Sequence, residues 1–221
     1  MDFSQLVALF SSDPQATVRT GLRFVHFIGL ALGLGGAILL DLMMLRFFVR
    51  GRIIKETSDI FEFASKIVSA GLFVLWITGV GFLFLYALTN PELLMNPKVH
   101  AKLMIVTILT VNGFFIHTII LPGVKRQIGK SLFTDISPLK RTVFVTSGAI
   151  SAVSWFLPVA LGAFPQLNNN VPVMVILTAY LLLIATAAVL MHGVVYMLHK
   201  SESESEPAPV FRLRNPVRNP V

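Results

Sequence analysis

His26 stands one turn into the apolar run LRFVHFIGLALGLGGAILLDL (residues 22–42), and Asp41 stands near its far end. Inside a membrane span each such side chain costs about 2.5–3.5 kcal/mol on insertion scales, so each needs a reason. Gly29, Gly33 and Gly36 follow His26 at steps of three, four and three and share its helical face; Gly29 and Gly33 form a GxxxG step. A histidine beside a glycine groove has two readings. Two helices pack closely there, with the imidazole bonded to a neighbour, or a flat cofactor such as haem b lies on the glycines while His26 supplies an axial nitrogen to the haem iron.

The other candidates are few: Asn112, His117, His192, and the pair His100 and Lys102 in VHAKLMIVTILTVNGFF. His100 and Lys102 are close in depth to His26, but two residues of helix turn them about 200° apart, so only one readily faces a common pocket. Either is a second pocket residue or an interfacial group, with Lys102 snorkelling to the headgroups. His117 follows Lys102 by about 22 Å of helix and cannot share a cofactor with His26. It matches His192 in depth, and the two define a possible second site. Asp41 lies on the His26 face near the opposite leaflet, where it pairs with Arg46 or serves a proton relay.

The elements that must position these residues are long apolar helices. Of 221 residues 55% are hydrophobic and 13% charged, and mean hydropathy is +0.77, beyond the range of soluble domains. Five stretches, 22–46, 67–88, 99–121, 142–164 and 173–198, have the length and composition of spans. The breaks between them are rich in charge, Pro or Asn. The expected fold is therefore all-α, a five-span transmembrane bundle over 21–199. A short interfacial segment (1–20) precedes it, and a disordered tail (200–221) of Ser-Glu repeats and Pro-Arg follows it. All of the 18 Lys and Arg except Arg19, Arg23, Lys98 and Lys102 fall on one side of this topology. The positive-inside rule then puts the N-terminus outside and the C-terminus in the cytoplasm, in a membrane of the bacterial inner-membrane type.

Composition also excludes. With no cysteine there is no disulfide, thiolate metal site or covalent haem attachment. The charge of +7 is explained by orientation in the bilayer and not by nucleic acid. No HExxH, GxSxG or nucleotide-binding loop is present in the required context. The partners expected are the lipid bilayer and a membrane redox partner or a second copy of the chain.

LRFVHFIGLALGLGGAILLDLMMLRFF, FVLWITGVGFLFLYAL and VHAKLMIVTILTVNGFF together resemble the HemJ-type protoporphyrinogen oxidases and the related copper-resistance D group of small membrane proteins. The likeness covers residues 20–122. It implies a haem b-binding bundle with redox or tetrapyrrole chemistry, a first-span histidine matched by His26, and a third-span lysine matched by Lys102. Where that family's third span has Tyr-His, this chain has Asn112 and Gly113, and it has a fifth span. Two further readings stand beside a haem-dependent oxidoreductase. One is a non-catalytic subunit or assembly factor whose polar groups lock helices together. The other is a metal or small-solute permease lined by Asp41, Asn112 and His117.

Overall fold

In the computed structural model, residues 2, 11–50, 55–125 and 137–205 are described. The described chain has no strand. Helix α1 spans Pro14–Arg50, α2 Lys55–Thr89 and α3 Pro97–Phe115. α3 runs on through a π turn, Ile116–Ile120, into the short α4 (Leu121–Lys125). Helix α5 spans Pro138–Ala163 and α6 Val173–Ser205. Five apolar segments are long enough to cross a membrane: Pro14–Met44, Asp59–Thr89, Pro97–Gly123, Pro138–Ala163 and Val173–Met197.

Three of these helices begin the same way. Asp13, Asn96 and Ser137 each precede a proline, and each side chain accepts a backbone N–H of the first turn: Ala16 at 2.9 Å, Lys98 at 3.0 Å and Lys140 at 3.4 Å. A polar cap satisfies an orphan donor, and proline at the first helical position has no N–H to leave unpaired. Local chemistry therefore starts α1 at Pro14, ahead of the first expected span boundary. Residues 14–20, expected in an interfacial segment, continue the first helix. Residues 3–10 of that segment, and 206–221 of the expected tail, lie outside the described residues; α6 itself runs to Ser205. The α5–α6 connection is a 3₁₀ turn, Pro165–Leu167, followed by Asn169 at φ 54°, a left-handed conformation that asparagine tolerates.

α1 and α2 form the tightest pair. An alanine Cβ at Gly71 of α2 would stand 2.4 Å from the Gly33 nitrogen, 2.7 Å from its Cα and 2.8 Å from the Gly29 carbonyl. The GxxxG step of α1 is thus met by a glycine of α2, backbone on backbone. α3, α5 and α6 form the other half of the bundle around Ala101, Ile105, Leu161, Ile176 and Tyr180. Ala37, Leu109 and Trp155 join the halves in the middle. The outward faces are apolar, with Phe73 66%, Phe84 68% and Leu88 84% exposed. Such a surface is matched by hydrocarbon and not by water.

Polar groups inside the bundle are bonded across helices. Asn112 of α3 donates to the Ser147 carbonyl of α5 at 3.0 Å and accepts from the Ser147 hydroxyl at 2.8 Å. Ser154 donates to Ile150 O at 2.6 Å, so its oxygen is left to accept from the Tyr180 hydroxyl of α6 at 2.8 Å. Four residues beyond Ser154, Pro158 has no N–H to return to that turn. Trp76 of α2 donates to Thr110 of α3 at 2.9 Å.

Candidate functional sites at the two ends of the bundle

The first site is at the His26 end. α1 carries His26 against α2, where Nδ1 lies 2.7 Å from the Thr78 hydroxyl oxygen. The Thr78 hydroxyl oxygen also lies 2.7 Å from the Val74 carbonyl. With the hydroxyl proton given to that carbonyl, Thr78 accepts from the ring, and this assignment corresponds to the tautomer protonated on Nδ1 with the Nε2 lone pair unused. Phe82, one turn beyond Thr78, meets the imidazole edge-to-face at a centroid distance of 5.8 Å. Orientation by a hydroxyl on one nitrogen, with the other nitrogen free, is the arrangement by which proteins prepare a histidine to bind a metal.

α3 brings Lys102 to the same end. Its charge lies within Coulombic reach of His26, and its Nζ sits 3.4 Å from where a Cβ on Gly162 of α5 would be. Glycine at 162 leaves room for that ammonium. One turn earlier, Lys98 is buried and donates from Nζ to the Phe164 carbonyl at the end of α5, 2.8 Å away. A cation there suits the carbonyl-rich terminus of α5. The Lys102 ammonium has neither a hydrogen bond nor an ion pair among the described residues. The one ion pair found there is Lys66 with Glu62, at the other end of α2. The site is thus an imidazole with Lys102 nearby and Lys98 one turn earlier on α3, neither lysine paired with a carboxylate among the described residues. His100 is exposed, as the 200° step required, so Lys102 is the residue of the pair that turns inward.

The glycines do not form a flat bed beside His26. The Gly29 position is closed by Val74 and Gly71 of α2, that of Gly36 by Val68, and that of Gly33 by the Trp155 indole, whose ring atoms lie 2.3–3.3 Å from a Cβ built there. Their face is a helix-packing surface.

The second site is at the Asp41 end. A cavity of about 420 Å³ lies between α1, α2, α3, the π turn and α5, within the size range of small-molecule sites. Most of its wall is apolar, and Asp41, Ser69, Thr110, His117, Trp76 and Trp155 carry polar groups in it. His117 stands on the π turn, a backbone irregularity found often at functional sites. Its Nε2 lies 2.9 Å from Ser69 Oγ, whose proton goes to Ser65 O at 3.0 Å. By the same assignment as for Thr78, the tautomer with Nε2 protonated leaves Nδ1 as an acceptor. Asp41 makes no ion pair with Arg46, which is exposed; its carboxylate lines the cavity instead. His192 donates from Nδ1 to its own helix at Ala188 O, 2.8 Å away, and is not part of the cavity wall. The expected pairing of His117 with His192 is therefore not formed. Asn112, held by Ser147, is likewise no part of that wall.

Sequence reasoning missed Thr78, Lys98 and Ser69. Lys98 is recoverable from its i, i+4 relation to Lys102. Thr78 and Ser69 are not, because their roles depend on the register between helices.

Fold and sites together define a polytopic α-helical bundle of the membrane-protein class, with polar groups gathered at two depths. No protein-family profile, curated protein or solved structure matches the chain.

Proposed function

We propose that the chain is an integral membrane protein that holds haem b non-covalently at the His26 end, in a bacterial cytoplasmic membrane with its N-terminus outside, and takes part in membrane redox or tetrapyrrole chemistry. The observation that carries this reading is the orientation of His26. Nδ1 is held at the Thr78 hydroxyl, in the assignment that leaves Nε2 free, with Lys102 nearby and without a paired carboxylate among the described residues. This donor set suits a haem: one imidazole for the iron, with Lys102 and Lys98 for the carboxylates of the macrocycle. Among the described residues no three His, Cys, Asp or Glu cluster as metal ligands. A haem does not need such a cluster, since its porphyrin supplies four of the ligands. Gly29, Gly33 and Gly36 are packed against α2 and Trp155, so their face would not be what holds a macrocycle. When bound, haem supplies one-electron redox chemistry; the chain supplies the oriented base, the counter-charges and a water-poor surround.

The test is a spectrum. Purified from membranes grown with a haem supply, the wild type is expected to show b-type Soret and alpha bands on dithionite reduction. His26→Ala should lose them while keeping its elution volume and helical circular dichroism. Lys102→Met should keep the fold and weaken haem retention. Colourless wild-type protein after haem reconstitution, or unchanged bands in His26→Ala, overturns the reading.

A second reading is a non-catalytic subunit whose polar groups serve helix packing. The Asn112–Ser147 and Ser154–Tyr180 pairs favour it, since all their bonds are spent between helices. It predicts colourless protein with a stability loss in His26→Ala.

A further inference from the structure

We propose that the cavity at the Asp41 end is a binding site for a lipophilic ammonium ion, a primary amine on a small aromatic body, reached sideways from the bilayer. The site is separate from the His26 end and does not depend on haem being bound there.

Three features fix the ligand class. First, two groups of the wall, His117 and Asp41, offer hydrogen-bond acceptors. His117 Nε2–H is committed to Ser69, so Nδ1 offers a lone pair, and Asp41 offers a carboxylate with no hydrogen bond or ion pair among the described residues. Trp76 Nε1–H, the obvious competing donor, is already given to Thr110. An occupant that donates meets both of these acceptors, and the Ser151 hydroxyl, also in the wall, can accept as well as donate. Second, among the described residues no Lys or Arg lines the cavity, and Asp41 and His117 do not pair with each other. Asp41 is itself exposed and lines the cavity from its open side, and a carboxylate facing a largely apolar wall at membrane depth calls for a countercharge. An ammonium meets that need and supplies N–H donors to Nδ1, and the faces of Trp76, Trp155, Phe61 and Phe144 attract its charge further. Third, the cavity opens towards the lipid face between α2 and α3. Phe73 and Phe114 belong to its wall and are 66% and 72% exposed, and Ser69 is exposed beside them. An amphiphile already partitioned into the membrane enters there without crossing the bundle.

Two properties of the chain make the proposal measurable. Its two tryptophans, Trp76 and Trp155, both line the cavity, so intrinsic emission reports on this site alone. Gly148 also lines it and has nothing within 4 Å of a built Cβ, so a side chain there has room to grow.

The experiment titrates the full chain in nanodiscs with 2-phenylethylammonium and, separately, with its uncharged isostere n-propylbenzene. Saturable change in tryptophan emission is expected with the ammonium and not with the hydrocarbon. Asp41→Asn should weaken the ammonium about tenfold or more. Gly148→Leu should remove binding with helical content unchanged, and His26→Ala should leave the titration as in the wild type. Equal binding of the two probes, or an Asp41→Asn titration that overlays the wild type, overturns the proposal. The probe comparison needs no variant, so it stands if Asp41→Asn fails to fold. A colourless wild type that binds the ammonium refutes the haem reading and leaves this one intact.

Discussion

Gly71→Ala tests how the bundle holds its His26 site. The added methyl would sit 2.4 Å from the Gly33 nitrogen, where ordinary contact begins at 3.4 Å, and the three nearest atoms are all backbone of α1. No side chain can rotate away. α1 and α2 must separate by about 1 Å along that line, which places the change in the overpacking class at about 1–3 kcal/mol. The His26–Thr78 bond, 2.7 Å long, crosses the same helix pair two turns further along α2. A shift of this size takes it beyond hydrogen-bonding distance and frees the imidazole to turn. Gly79→Ala is the control, on the same helix with nothing within 4 Å of its Cβ, and it absorbs the general effect of replacing glycine by alanine in a helix. Reversible unfolding in mixed micelles measures both. Gly71→Ala is expected to be less stable than Gly79→Ala by about 1–3 kcal/mol, and its His26 ring resonances should lose the signature of a fixed tautomer. Equal stabilities, or an unchanged imidazole spectrum in a destabilised Gly71→Ala, would refute the coupling of this glycine contact to the site.

Thr78→Val keeps the shape of the α1–α2 contact but removes the acceptor for His26 Nδ1–H; haem retention should fall about 10–100-fold, as for loss of a group that orients a metal-binding histidine, measured by haem transfer to an apo-acceptor. The Asn112→Ala and Ser147→Ala pair, taken through a double-mutant cycle in micelles, should give a coupling energy of about 0.6–1.7 kcal/mol; additivity would show that the two hydrogen bonds contribute nothing beyond their side chains. Trp155→Ala removes the ring that fills the Gly33 position and joins α1, α3 and α5, so a loss of about 3–5 kcal/mol is expected, read from the same unfolding assay, with Trp76 emission retained.

The five spans were legible because the bilayer sets only two requirements, length and hydropathy, and both are local properties of sequence. The ends were less so. α1 begins at Pro14 and the second apolar segment at Asp59, both ahead of the expected limits. A capped helix does not stop where its hydrophobicity stops. At the sites, what could be read was what one helix decides by itself: Lys102 and His100 diverge because of helical pitch, and the structure turns Lys102 in and leaves His100 exposed. The purpose of the glycines could not be read, since GxxxG serves a macrocycle and a second helix equally well. Gly71 and Trp155 close the face, and neither lies near Gly33 in sequence.

The same limit explains Asp41. On a single helix its nearest cation is Arg46, and pairing was the economical expectation. A five-residue step turns the two about 140° apart, so a partner at that spacing faces away. The structure resolves the conflict in favour of the turn: Asp41 and Arg46 are both exposed and unpaired with each other, and the carboxylate lines a cavity that four other segments complete. A charged group that keeps company with His117 on a π turn, and not with the nearest arginine, is placed for an occupant from outside the chain. That placement makes the ammonium titration the more discriminating of the two site experiments. Haem loss in a His26 variant can arise from ligation or from packing, whereas discrimination between two probes of one shape, repeated in Asp41→Asn, isolates what the ammonium group contributes by charge and hydrogen bonding.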